Sequence, residues 1–210
     1  MPGFSVLLAC IFGELMLAPI FMTAVGALRV ARMVGAIVLL AALTVVGVRR
    51  AALVLFIPAL VAQLLATQYD AWAVLAVAAT GRLVCLCYVL GIVVWYVIRD
   101  RSVTSDTIAG AACVYMLFGA VWANLYQLIE HLQPGSFDIP SSWLLGPQRD
   151  PQAALAYFSF VTLATVGYGD IKPAAPGVGG LCVAEALVGQ LYLAIMIARL
   201  VGLHAARRPS

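Results

Sequence analysis

Six apolar runs, at positions 4–28, 33–48, 51–66, 71–98, 107–129 and 177–203, alternate with short polar or basic stretches along the chain. A helix crosses the hydrocarbon core of a bilayer with about 20 apolar residues, and a range of about 17 to 25 serves. The pattern therefore predicts six transmembrane helices. The second and third runs are short, and only Gly47, Val48, Arg49 and Arg50 part them. A single long helix through that point would strand two arginines in lipid at about 2.5–3.5 kcal/mol each. Two helices joined by a tight basic turn are expected instead. The first run has no basic residue at its start and carries Glu14 inside it, which sets it apart from a cleaved leader.

One segment breaks this rhythm. Positions 131–151 are polar and rich in turn formers, with Pro134, Gly135, Pro140, Gly146, Pro147 and Pro151, and read as an extracellular loop. The next stretch, 152–165, is apolar and helix-like but too short to span, and it runs into a glycine-rich polar segment. Non-helical backbone at membrane depth is tolerated only where protein buries it or where it lines a water-filled path. A half-length helix followed by a re-entrant loop is the expected shape, between helices five and six of an all-α membrane protein.

Composition agrees with a chain dissolved in lipid. Hydrophobic residues make up 64% of the 210 positions and charged residues 10%, with a mean hydropathy of +1.06, against roughly a quarter charged in a soluble domain. A formal net charge of +3 gives no reason to expect a nucleic-acid partner. The cysteines Cys10, Cys85, Cys87, Cys113 and Cys182 all fall inside apolar runs, so they read as free buried thiols rather than a disulfide framework. Arg49/Arg50, Arg99/Arg101 and Arg207/Arg208 lie on one side if the six runs alternate, which makes that side cytoplasmic, with both termini, in a plasma-membrane protein. Arg29 and Arg32 fall on the opposite side and break the rule. His131 and His204 stand apart from each other, with no Ser–His–Asp or metal-ligand group around them. Neither an enzyme nor an organic cofactor is therefore expected.

The chemistry concentrates in Thr165-Val166-Gly167-Tyr168-Gly169-Asp170. Gly167 and Gly169 permit backbone torsions that other residues resist, and such torsions turn successive carbonyls toward a common axis. Four such strands around that axis would stack rings of oxygens in which a dehydrated potassium ion exchanges its water shell, with K+ held at Thr165, Val166, Gly167 and Tyr168. Thr165 adds a hydroxyl ring at the inner end. Tyr168 points outward against the short helix, which is expected to end at Thr165 with its negative end toward a central cavity.

The stretch resembles the signature filter of potassium channels, Thr-Val-Gly-Tyr-Gly-Asp, without a departure. Its flanks, Tyr157-Phe-Ser-Phe-Val-Thr and Ile171-Lys-Pro, are similar to that family's pore helix and outer mouth, and the resemblance covers about 106–204. The segments Glu185-Ala-Leu-Val-Gly-Gln-Leu-Tyr-Leu-Ala and Ala198-Arg-Leu-Val-Gly resemble small bacterial channels whose chain stops after the pore. The resemblance implies a pore domain over 102–210, with Asp170 at the filter mouth and Tyr157, Phe158 and Thr162 supporting the filter. A four-helix domain over 1–101 would then occupy the place of a voltage sensor. One such loop per chain requires four chains, so the expected partners are three further copies and membrane lipid.

Other polar positions carry more than one reading. Gly189 serves either as a hinge of the inner helix, as in the resembling channels, or as a small residue that lets helices pack closely. If Gln190 faces the cavity, Leu193, Ile197 and Val201 follow it at helical spacing and form a candidate gate. Glu185 is an intramembrane carboxylate, a functional candidate by default, or a group hydrogen-bonded behind the pore helix. Val161 stands where some relatives carry a carboxylate. The run 71–98 contains only Arg82 where a voltage sensor repeats arginine at every third position. One charge per subunit across 100 mV supplies at most about 9 kcal/mol in a tetramer, so weak or no voltage dependence is expected. Glu14 and Arg82 form a candidate static ion pair. Seven residues after Leu203 are too few for a soluble regulatory domain. A non-conducting partner subunit is the competing reading, and it has no need of Thr165–Gly169.

Overall fold

The computed structural model describes residues 4–20, 36–38, 40, 50–66, 68–69, 71–100, 104–144 and 151–205. The helices are α1 (Phe4–Ile20), α2 (Arg50–Leu65), α3 (Trp72–Arg99), α4 (Ser105–Leu132), α5 (Gln152–Leu163) and α6 (Pro176–Ala205), with a 3-10 turn at Ser141–Trp143. Two strands, β1 (Phe137–Asp138) and β2 (Lys172–Pro173), pair antiparallel with Phe137 opposite Pro173. The described residues are mostly helical, as expected, and this two-residue pairing is the one addition to the helices among them.

Among the described residues, α3, α4 and α6 are long and apolar enough to cross a membrane. The expected first and third spans correspond to helices of 17 and 16 described residues. The second run lies mostly outside the described residues, with 36–38 and 40 helical. Among the described residues three helices are of spanning length, where the hydropathy pattern predicts six for the chain.

Helix ends follow local chemistry. The Thr104 side chain accepts the Thr107 N–H at 3.2 Å and starts α4, and the Thr107 hydroxyl donates to Asp100 Oδ2 at 2.7 Å. That elbow leaves five residues between Arg99 and Ser105, a reach of about 17 Å, so α3 and α4 have to be neighbours. They pack along a stripe: Leu86, Val89, Val93 and Val97 of α3 are buried with Cys113, Val114 and Leu117 of α4. Phe4, Leu7 and Ile11 of α1 and Phe56 of α2 complete this core. Helices α1 and α3 thus rest on α4 of their own chain.

A second, smaller core lies at the other end of α4. Tyr126, Phe137 and Phe158 meet edge-on or tilted at 5.2, 5.6 and 5.5 Å. Aromatic pairs at such spacings favour these orientations over flat stacking. Glu130 fixes the loop above them, accepting the Gly135 and Phe137 N–H groups at 2.8 and 3.2 Å. The Ser136 carbonyl accepts the Ala174 N–H at 2.8 Å, and β1–β2 then ties the loop after α4 to the chain beyond residue 170.

Candidate functional site

Helix α5 is 12 residues long, and its C-terminal end is the key to the site. The Thr165 N–H reaches the Thr162 carbonyl and the Val166 N–H reaches the Val161 carbonyl, both at 2.9 Å. These are the two hydrogen bonds of a Schellman motif, which needs a left-handed residue just past the cap. Glycine usually fills that place, but here it is Thr165, with φ of 56°. The helix therefore ends at Leu163, two residues before the expected end at Thr165.

Beyond that stop the hand of the backbone alternates. Thr165, Gly167 and Gly169 have φ of 56°, 57° and 76°, while Val166 and Tyr168 keep negative φ. Alternation of left- and right-handed residues lines up successive peptide groups, so that N–H groups face one side and carbonyls the other. A β-strand would alternate them. Residues 164–170 are all exposed on the chain.

Supports converge on both ends of the stretch. At the outer end the Tyr168 ring lies parallel to Tyr157, 6.5 Å away at 4°, and Tyr157 stacks on Trp143 at 4.4 Å. The Tyr157 hydroxyl also reaches the Asp170 carboxylate. The Asp170 Oδ1 also accepts the Ile171 N–H at 3.1 Å. Phe158 faces away into the aromatic core, and Thr162 supplies the capping carbonyl. At the inner end Gln190 Nε2 donates to the Thr165 hydroxyl at 3.0 Å. Gln190 thus reaches the Thr165 end of the stretch, and Leu193, Ile197 and Val201 follow it as exposed residues of α6.

Gly189 is buried against the end of α5. A methyl group added there would run into the Leu163 backbone carbonyl and side chain, so close packing accounts for the glycine. The same carbonyl accepts the Tyr115 hydroxyl at 3.3 Å. Gly189→Ala is expected to cost about 1–3 kcal/mol by overpacking, seen as a lower melting temperature of the purified protein. Unchanged melting would show that α5 has room to move.

Glu185 is completely buried. The Tyr126 hydroxyl of α4 donates to its Oε2 at 2.6 Å, and the Ser159 hydroxyl of α5 donates to its Oε1 at 2.5 Å. Ser159 Oγ also lies 2.9 Å from the Gly119 carbonyl oxygen of α4. Arg82 is buried beside a small polar cleft lined also by Gln63, Gln127, His131 and Gln152. The Glu14 side chain, and with it the Glu14–Arg82 pair, lies outside the described residues, as do Arg29 and Arg32. All five cysteines are free, and no metal-binding cluster occurs among the described residues.

Sequence reasoning did not assign Ser159, Tyr126, Trp143 or Arg199. Ser159 had a signal, as a hydroxyl in the otherwise apolar turn Tyr157–Phe160, but its partners lie 26 and 40 residues away.

The family model described as "Ion channel" matches residues 153–203, from α5 through the 165–170 stretch to the end of α6. The matched segment is about a quarter of the chain. The match points to a channel rather than an enzyme, and with the apolar helices to a membrane protein. No curated protein and no solved structure gives a significant match to the chain. In the matched segment the short helix, the alternating backbone and the long apolar helix follow one another without interruption.

Proposed function

We propose that the chain is one subunit of a potassium-selective channel that conducts K+ passively as a homotetramer. The observation that carries this reading is the alternation of hand at Thr165, Gly167 and Gly169. That backbone presents a row of carbonyls, and four rows around an axis replace the water shell of K+. Tyr168, stacked on Tyr157, braces the row from outside, and the Thr165 hydroxyl closes it from inside. The exposed faces of α6 and of residues 164–170 become the surfaces between subunits, since a single row encloses no ion.

Residues 102–210 are the pore domain in this reading, with α5 as a re-entrant pore helix between outer helix α4 and inner helix α6. Residues 1–101 form a membrane domain of four helices. Both termini and Arg99 face the cytoplasm in the plasma membrane, where Arg99 lies over the Trp95 ring at 5.0 Å. Such cation–aromatic pairs suit an interface. Apart from Arg99 at its cytoplasmic end, α3 carries only Arg82, which supports weak or absent voltage dependence.

The test is the reversal potential of purified protein in a planar bilayer with K+ on one side and Na+ on the other. A potential close to that of K+, with open probability nearly flat from −100 to +100 mV (about 2.3 kcal/mol per charge per 100 mV), is expected. A reversal potential near zero would overturn the potassium reading.

A further inference from the structure

We infer that Glu185 is a positioning residue for the filter, holding the pore helix α5 in register against α4 and α6 through Ser159. The inference rests on the channel reading.

The contacts form a pattern. Glu185 and Gly189 are four residues apart on α6, and they meet Ser159 and Leu163, four residues apart on α5. Two contacts one helical turn apart fix both the rotation of α5 about its axis and its position along it. Ser159 then lies against the Gly119 carbonyl and Tyr126 reaches the other carboxyl oxygen, so α4 is locked into the same group. Glu185, Ser159 and Tyr126 are each fully buried.

The lock is selective for one register because of what flanks Ser159. A slip of one residue along α5 would put Phe158 or Phe160 opposite the carboxyl group, and neither has a donor. A buried carboxyl group that loses a hydrogen-bond partner is costly. Six residues beyond Ser159, joined by the rigid end of α5 and its Schellman turn, lies Thr165. The register set at Ser159 is therefore delivered to the first position of the filter. A residue that merely filled the core would need none of this directionality.

Full-length protein in liposomes and bilayers tests the role, with K+/Na+ permeability ratio and open probability read beside tetramer melting. Glu185→Gln is isosteric and keeps both bonds, accepting from Tyr126 while donating to Ser159, whose hydrogen turns to Gly119. It is expected to retain the wild-type ratio. Glu185→Leu removes both partners and is expected to lower the ratio or the open probability by about tenfold or more, with the tetramer still formed. The pair Ser159→Ala with Tyr126→Phe leaves Glu185 in place and removes its donors, and the same loss is expected. This pair decides the matter should Glu185→Leu fail to assemble. Wild-type ratio and open probability in Glu185→Leu or in the double variant would overturn the role of Glu185. A wild-type protein that does not discriminate K+ from Na+ would instead overturn the proposed function.

Discussion

Replacing Gly167 by alanine is expected to abolish selective potassium conduction. Gly167 has φ of 57°, a region where a Cβ crowds the carbonyl oxygen and costs roughly 1–2 kcal/mol per residue. Four subunits repeat the cost around one axis, giving about 4–8 kcal/mol against the conducting backbone. At about 1.4 kcal/mol per factor of ten, that displaces the equilibrium by about a thousandfold or more. The added methyl meets no atom of its own chain, so the effect comes from torsion and not from a clash within the subunit. The subunit is then expected to fold and assemble, with the carbonyls of 166 and 167 turned out of line. Bilayer recording with K+ and Na+ on opposite sides checks this beside a size measurement of the tetramer. Selective current through Gly167→Ala would mean that the left-handed torsion is not needed for conduction.

Thr165 makes the contrast sharper. It holds φ of 56° although it is β-branched, a combination that counts as an outlier. Local bonds hold it there. Its N–H goes to Thr162, the next N–H goes to Val161, and its hydroxyl accepts from Gln190. Strain of this kind persists where the surroundings over-determine it, and it gathers at functional sites. One residue thereby ends the helix and opens the row of carbonyls.

The long helices were legible because each is an apolar run with polar bounds. Helix α4 begins two residues before its apolar run because Thr104 caps it. The end of α5 was misplaced by two residues, since the stop signal that sequence offers is glycine and Thr165 fills the role. Strands of two residues carry no periodicity, so the Phe137–Pro173 pairing had no trace in the pattern. The 165–170 stretch stood out because its glycines lie close together in the chain, and Gly167 and Gly169 take positive φ without any long-range contact. Glu185 was readable only as a charge in an apolar run, because its partners are 26 and 59 residues away. The place of α1 and α3 against α4, and of α2 against α3, depends on contacts of that same long-range kind.

One such contact ties the inner end of α6 to α3, and its removal is the second large effect expected. Arg199 Nη2 donates to the Ile98 carbonyl at 2.8 Å and to the Asp100 carbonyl at 2.5 Å. These are the last carbonyls of α3, which have no partner within the helix and carry its negative end. Both bonds come from the one nitrogen, whose two N–H groups are held in the guanidinium plane and reach one carbonyl each. Bonds to a charged group contribute about 1.5–3 kcal/mol each when sheltered. Arg199 is half-buried and one bond is exposed, which brings the sum to about 2–4 kcal/mol per subunit. Arg199→Met keeps the apolar stem and removes both bonds. It is expected to lower the melting temperature and to speed tryptic cleavage after Arg99, which is exposed one residue beyond Ile98. Arg199→Lys, with one compact donor group, is expected to fall between the two. Equal melting and equal cleavage in all three proteins would mean that α3 and α6 are held together through the α3–α4 core alone. A larger gain in cleavage than loss of melting would place the effect of the bond at the α3–α4 elbow itself.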